Sequence, residues 1–185
     1  MIIVVLNVSV TVNGVDSRPD RQDHIRRTLS LLPVEHVRAI HYISVRDRAD
    51  YEGGSTNWVD RDDHSAGCWI MLDVDSFPKP LNNQAPDRLH YTLLHEAGHV
   101  VGTAYNCLSH LRSHRRSDES VRRGYAAMLA HPHSGRTRGA GEHFADTYAD
   151  YFFHTETAMA TDDRMTAMLT TPAFTSLPAV PARRP

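Results

Sequence analysis

Alternating apolar and polar residues at the start of the chain predict a β-strand. The apolar run of residues 1–6 leads into the strict alternation of residues 8–12, and Asn13-Gly14 then marks a turn. In residues 20–32, apolar side chains recur at helical spacing until Pro33 interrupts the pattern. The N-terminal end is therefore expected to form one strand and then one helix.

Two further strands are expected before the middle of the chain. Residues 37–45 are rich in β-branched side chains, and residues 68–74 form a short apolar run. Between them, residues 46–64 are polar and include Gly53-Gly54, which predicts a loop.

Three helices are expected in the second half of the chain. The first begins at Pro86 and carries residues 93–101. The second covers residues 118–130 with Ser117 as its N-cap, and the third begins near Gly141 and runs through Phe152.

The composition is typical of one folded domain followed by a tail. The 185 residues are 41% hydrophobic and 23% charged, which is the range of globular chains. Four prolines in residues 170–185 predict a mobile C-terminal tail. Residues 1–169 are therefore expected to form the domain.

Charge and segment patterns argue against several classes of protein. The formal net charge of −2 disfavours general nucleic-acid binding. The N-terminal apolar run has no basic region and passes into a strand pattern, so neither a signal peptide nor a membrane span is expected, and the expected compartment is the cytoplasm. Cys68 and Cys107 lack the spacing of a zinc knuckle, and reduced thiols are the simpler interpretation.

The candidate chemistry begins with His95, Glu96 and His99, which have the H-E-x-x-H spacing of zinc hydrolases. At about 100° per residue, His99 lies about 40° from His95 around a helix, so both imidazoles can face one ion. Glu96 lies about 100° round, where it can reach a bound water, and apolar residues occupy the opposite face. The alternative is a solvated helix with two incidental histidines.

Two glycines beside this motif allow two interpretations. Gly98 and Gly102 are each unfavourable inside a helix by about 1 kcal/mol relative to Ala. Either they let a second backbone approach the ligand-bearing face closely, or Gly102 simply ends the helix.

A catalytic zinc site needs a third protein ligand. Tyr105 stands where metzincins carry their third histidine, which argues against that class, and Cys68 lacks the surroundings of the peptide deformylase cysteine. The downstream carboxylates are Glu119, Glu142 and Glu156. Glu142 and Asp146 are four residues apart and would share one face of a helix.

The string Gly141-Glu142-His143-Phe144-Ala145-Asp146 resembles the Glu-x-Phe-Ala-acidic segment of the anthrax lethal factor catalytic-domain family, which is similar to the Pro-Pro endopeptidases. The resemblance extends over residues 30–155, including Leu32-Pro33 and His36. The family that it points to belongs to the gluzincin class of zinc peptidases. It implies a small α+β zincin-like domain, in which a short mixed sheet packs on the active-site helix and a second helix carries a ligand.

The resemblance also implies the roles of individual residues. It implies Zn²⁺ bound by His95, His99 and Glu142, with Glu96 as the general base and Asp146 supporting a ligand histidine. Glu119 is the rival third ligand on spacing alone, but Arg123 occupies the position four residues later, where an acidic residue is expected.

One part of the family pattern is missing. The tyrosine that supports the oxyanion seven residues before the ligand glutamate is replaced by Gly135. His133 and Ser134 are the nearest replacements, followed by Tyr125.

We therefore expect a zinc metalloendopeptidase that hydrolyses peptide or protein substrates. The strand at residues 68–74 is expected at the sheet edge, where an extended substrate could pair with its backbone. The alternative from another class is a zinc-stabilised binding or regulatory domain without peptidase activity.

Overall fold

The computed structural model of the protein describes residues 1–14, 19–46, 54–58, 68–73, 88–105, 107–117, 119–130 and 139–157. In these residues the elements follow one another as β1 (Ile2–Val5), β2 (Val8–Asn13), α1 (Pro19–Ser30), α2 (Val34–Ala39), β3 (Ile40–Arg46), β4 (Gly54–Trp58), β5 (Cys68–Asp73), α3 (Arg88–Ala104), α4 (Cys107–His114), α5 (Glu119–Ala130) and α6 (Ala140–Thr157).

The strands form one mixed sheet in the order β1-β2-β3-β5-β4. Strands β2, β3 and β5 are parallel, whereas β1 and β4 run antiparallel to their neighbours. Side chains paired across the strands bury one face, namely Ile3 with Val10, Val12 with Ile43, and Val45 with Leu72. On the opposite face Ile2 and Val4 are exposed, so the core lies on one side of the sheet.

Helices supply the other half of this core. Helix α1 contacts β1, α2 contacts β2 and β3, and α3 lies against β4 and β5. The apolar face predicted for α3 is confirmed, because its members are fully buried: Leu93, Leu94, Ala97, Val100 and Val101. A short mixed sheet packed against helices makes the domain α+β, as predicted.

The N-terminal strand differs from the prediction because it is two strands. Leu6 and Asn7 have φ values of 50° and 63°, and β1 and β2 pair as an antiparallel hairpin around them. Positive φ at both central residues is the geometry of the tight hairpin turns. The sequence interpretation missed this turn because Leu6-Asn7 lacks the glycine that usually marks it.

The expectation of a strand over residues 37–45 is wrong in its first part. Helix α2 continues to Ala39, and β3 begins only at Ile40. The backbone N–H groups of His36 and Val37 both donate to the carbonyl of Pro33, which starts the helical turn. Val37 is buried in this helix, so its β-branched side chain packs in the core although its backbone is helical.

The loop expected over residues 46–64 contains an edge strand. Strand β4 pairs with β5 through all five of its residues, from Gly54 opposite Leu72 to Trp58 opposite Cys68. Its composition is polar, so hydrophobic patterning gave no signal, and main-chain pairing forms it. The expectation that residues 68–74 form the sheet edge is therefore wrong, because β5 lies between β3 and β4.

The remaining expectations concern helices α4, α5 and α6, a membrane span, and the C-terminal tail. Helix α4 occupies a stretch where no helix was expected, whereas α5 and α6 lie where helices were predicted. No helix in the described parts of the chain is both long and apolar enough to cross a membrane. The predicted tail at residues 170–185, and with it the domain limit at 169, lies outside the described residues.

Candidate metal centre

Helices α3 and α6 pack closely because small residues line their contact. A Cβ on Gly98 would lie 2.8 Å from the Cα of Ala145, and a Cβ on Gly102 would lie 3.1 Å from the ring of Phe144. Helix α3 continues past Gly102 to Ala104. Close approach of a second backbone is therefore confirmed for Gly98, whereas Gly102 faces the side chain of Phe144 and does not end the helix.

This contact brings three potential ligands together. The Nε2 atoms of His95 and His99 are 3.2 Å apart. Glu142 on α6 places Oε2 3.5 Å from His95 Nε2 and Oε1 3.3 Å from His99 Nε2. Among the described residues, no other set of three His, Cys, Asp or Glu side chains is gathered in this way.

The spacing of these atoms fits a metal ion. Ligand atoms about 2.0–2.1 Å from a tetrahedrally coordinated ion lie about 3.3 Å from one another. The two Nε2 atoms are 3.2 Å apart, and those of His95 and His99 lie 3.5 and 3.3 Å from different oxygens of Glu142. Two imidazole nitrogens with one carboxylate are ordinary ligands of divalent transition metals. The group could therefore hold a metal ion.

The orientation of His95 is set from α6. Its Nδ1–H donates a hydrogen bond to Oδ1 of Asp146 at 2.6 Å, and Asp146 is buried. A neutral imidazole protonated at Nδ1 carries its lone pair on Nε2, the atom that faces His99 and Glu142. Asp146 thus aims the free nitrogen of His95 at the cluster.

Electrostatics raise the basicity of His95. Burial lowers the pKa of His95, but the hydrogen bond to Asp146 and the negative charges of Asp146, Glu96 and Glu142 outweigh it, so the pKa lies above the ordinary histidine value. The same excess of negative charge favours a bound cation.

The cluster opens to solvent on the α6 side. The side chain of Glu142 is 40% exposed, whereas those of His95 and His99 are 13% and 23% exposed. Glu96 is buried at 4% exposure directly after His95 on the same helix. The candidate ligands are therefore partly accessible to solvent, and a buried carboxylate follows the first of them in sequence.

The rival ligand candidates lie elsewhere. Glu119 forms ion pairs with Arg122 and Arg123 within α5. The hydroxyl of Tyr105 donates to the backbone oxygen of Glu35 at 2.9 Å. Cys107, which was expected to be a reduced thiol and not a ligand, is free and buried, and burial raises its pKa to about 12. The geometry therefore brings only Glu142, of the described third-ligand candidates, to the two histidines.

Two of the three residues expected to support an oxyanion are not described by the structure. His133, Ser134 and Gly135 lie outside the described residues. Tyr125, the next candidate, is buried on α5, where its hydroxyl accepts a hydrogen bond from Nε of Arg112 and its ring lies under the guanidinium of Arg115.

Two contacts near the cluster were not anticipated from the sequence. Tyr91 on α3 donates from its hydroxyl to Oδ1 of Asp150 on α6 at 2.9 Å. His36 Nδ1 and the hydroxyl of Tyr148 are 2.9 Å apart and join α2 to α6. The first pair carried a signal, because Tyr91 precedes His95 by four residues and Asp150 follows Asp146 by four.

Comparison of the chain with protein-family models, with curated proteins and with solved structures finds no match.

Proposed function

We propose that the protein is a zinc-dependent metallopeptidase of the gluzincin type. The observation that carries the proposal is the meeting of His95 and His99 with Glu142 at separations of 3.2–3.5 Å, beside the buried Glu96. The resemblance of the two ligand-bearing segments to the lethal factor catalytic-domain family supports the same function.

The donor set favours zinc among the divalent metals. Two imidazoles and one carboxylate are a recurrent ligand set of catalytic zinc, with a fourth position left for water or substrate. The exposed side of Glu142 provides space for that fourth position. Bound zinc would polarise the substrate carbonyl and lower the pKa of a coordinated water.

Glu96 is the proposed general base. It lies next to His95 in sequence but points to a different side of α3, so it can act on the attacking water while the two histidines hold the ion. Its carboxylate takes the proton of the water and passes it to the nitrogen of the leaving amine. A purely structural metal site would have no use for this carboxylate.

The edge strand β4 is the proposed support for the substrate. It lies at the end of the described sheet and contacts α3, which carries the histidines. An extended peptide adding to this edge would pair with the backbone and run past the cluster. Strand β4, and not residues 68–74, is therefore the strand proposed to pair with the substrate.

Metal analysis combined with a diverse peptide library tests the proposal. The purified protein should contain about one zinc per chain and cleave peptides detectably by mass spectrometry. A chelator should stop cleavage, added zinc should restore it, and a His99→Ala variant purified in parallel should lack both metal and activity. Stoichiometric zinc without cleavage of any peptide would instead indicate a zinc-stabilised binding domain.

A further inference from the structure

Tyr91 and Asp150 continue the contact that forms the metal centre. Along α3, Tyr91, His95 and His99 are spaced by four residues, and along α6, Asp150, Asp146 and Glu142 run in the opposite direction with the same spacing. Each of these three residues of α3 lies opposite one of the three carboxylates of α6. The distances are 2.9 Å for Tyr91 with Asp150, 2.6 Å for His95 with Asp146 and 3.3 Å for His99 with Glu142.

The alignment of the two helices decides whether the ligands meet. A shift of α6 by one residue would move Glu142 by about 1.5 Å along the axis and about 100° around it. Metal–ligand distances tolerate deviations of only about 0.2 Å. The metal centre therefore depends on contacts that hold α6 in one register against α3.

Glu142 lies near the end of its helix. It lies in the first turn of α6 and is 40% exposed, and helix ends are the parts that fray. Asp150 lies two turns further along the helix, and its partner Tyr91 lies on the well-packed α3. The hydrogen bond between them can thus hold α6 from its interior.

Repulsion between carboxylates on α6 is a second reason why contacts with α3 matter. Glu142, Asp146 and Asp150 place three carboxylates along one face of α6, and like charges four residues apart disfavour a helix. Helix α3 offsets the charge of the last two, because His95 donates to Asp146 and Tyr91 donates to Asp150. Glu142 lies beside His95 and His99, where a bound cation would offset its charge as well.

We infer that Tyr91 and Asp150 are positioning residues that hold α6 in the register required for metal binding. The inference rests on the proposed function only in taking the ion to be zinc. Neither residue touches the metal, since Tyr91 bonds to Asp150 and neither belongs to the ligand group. Their effect reaches the ion through the position of Asp146 and Glu142.

Zinc affinity measured by competition with a chromophoric chelator tests this role. Tyr91→Phe should weaken zinc binding about three- to tenfold, less than the loss typical when a residue bonded directly to a ligand is removed. Asp150→Ala should have a similar effect, and the double variant should lose little more than either single one because both remove the same contact. Asp150→Asn keeps an acceptor for the Tyr91 hydroxyl and should restore most of the affinity.

Tyr105→Phe is the matched control. It also removes a tyrosine hydroxyl bond of 2.9 Å, but that bond reaches Glu35 and not α6. Both tyrosine variants should lower the free energy of unfolding of the metal-free protein, and only Tyr91→Phe should also lower zinc affinity. Affinity within twofold of wild type in Tyr91→Phe and Asp150→Ala would overturn the positioning role.

Failure of the positioning role and failure of the proposed peptidase function give different experimental results. Wild-type protein that binds zinc without cleaving peptides, while Tyr91→Phe binds it more weakly, would support the positioning role and refute the peptidase. Wild-type protein that cleaves peptides while both variants bind zinc normally would support the peptidase and refute the positioning role.

Discussion

The Nδ1 atom of His95 donates to Oδ1 of Asp146 across 2.6 Å, from the middle of one helix to the middle of another. The side chain of Asp146 is only 6% exposed, so water competes little for this bond. Because the bond fixes the ring and its tautomer, the ligand nitrogen faces the cluster before any metal arrives.

Removal of this carboxylate should weaken metal binding without removing a ligand. Asp146→Ala should lower zinc affinity about ten- to a hundredfold, the range typical of residues that orient a ligand histidine. Asp146→Asn retains an oxygen that can accept from Nδ1–H and should lose less. Equal affinities of Asp146→Ala and wild type in a chelator competition would show that His95 needs no support.

The two glutamates considered as the third ligand should behave differently. Glu142→Ala should weaken zinc binding tenfold or more, because its carboxylate faces both histidines at 3.3–3.5 Å. Glu119→Ala should leave the affinity nearly unchanged, since its carboxylate pairs with arginines of its own helix. Metal titration of both variants decides the matter, and the reverse ranking would move the site to α5.

Local patterns predicted the parts of the candidate site that lie within single helices. His95 and His99 share a face because residues four apart do so in any helix, and the same holds for Glu142 and Asp146. The apolar positions between 93 and 101 correctly predicted which face of α3 is buried. Helical periodicity is strong in such long amphipathic segments.

Features that depend on contacts between distant segments escaped the sequence analysis. Strand β4 is polar, and its extended structure depends on backbone pairing with β5. The change from helix to strand at Ile40 is likewise hidden in a run of residues that suits either structure. Four-residue spacing places Tyr91 and Asp150 on the ligand-bearing faces of α3 and α6, but their contact also depends on the relative register of the two helices, which no local pattern contains.

Close contact of the two helices can be tested at Gly98. Gly98→Ala would place a Cβ 2.8 Å from the Cα of Ala145, where backbone cannot yield cheaply. We expect a loss of about 1–3 kcal/mol in the free energy of unfolding, as for overpacked cores. Gly141→Ala on α6 is the control, because its added Cβ meets nothing within 4 Å. It should be neutral or stabilise by up to about 1 kcal/mol, and denaturant unfolding measures both.

Acid should destabilise the fold through His36. Burial lowers the pKa of His36 to about 4, with a smaller opposing effect of Glu35. Between pH 6.5 and about 4 the unfolded chain therefore binds a proton that the folded chain does not. The free energy of unfolding should fall through this window as the pH falls, by about 3 kcal/mol from this group.

A variant without the imidazole isolates this effect. His36→Asn keeps a polar atom near the Tyr148 hydroxyl but cannot titrate in this range. Urea unfolding of both metal-free proteins at several pH values gives the difference between them. That difference should shrink toward pH 4, and a constant difference would mean that the folded chain protonates His36 as readily as the unfolded chain.

Glu96→Gln separates the proposed general base from the metal ligands, because it removes the carboxylate that would take the proton from water and leaves His95, His99 and Glu142 in place. Zinc content and peptide cleavage should be measured on the same preparations of wild type and variant. The variant should retain one zinc per chain, because Glu96 is not a ligand, and its cleavage rate should fall by two to four orders of magnitude. Undiminished cleavage by the zinc-loaded variant would show that Glu96 is not the general base, and loss of zinc from it would show that Glu96 helps to hold the metal.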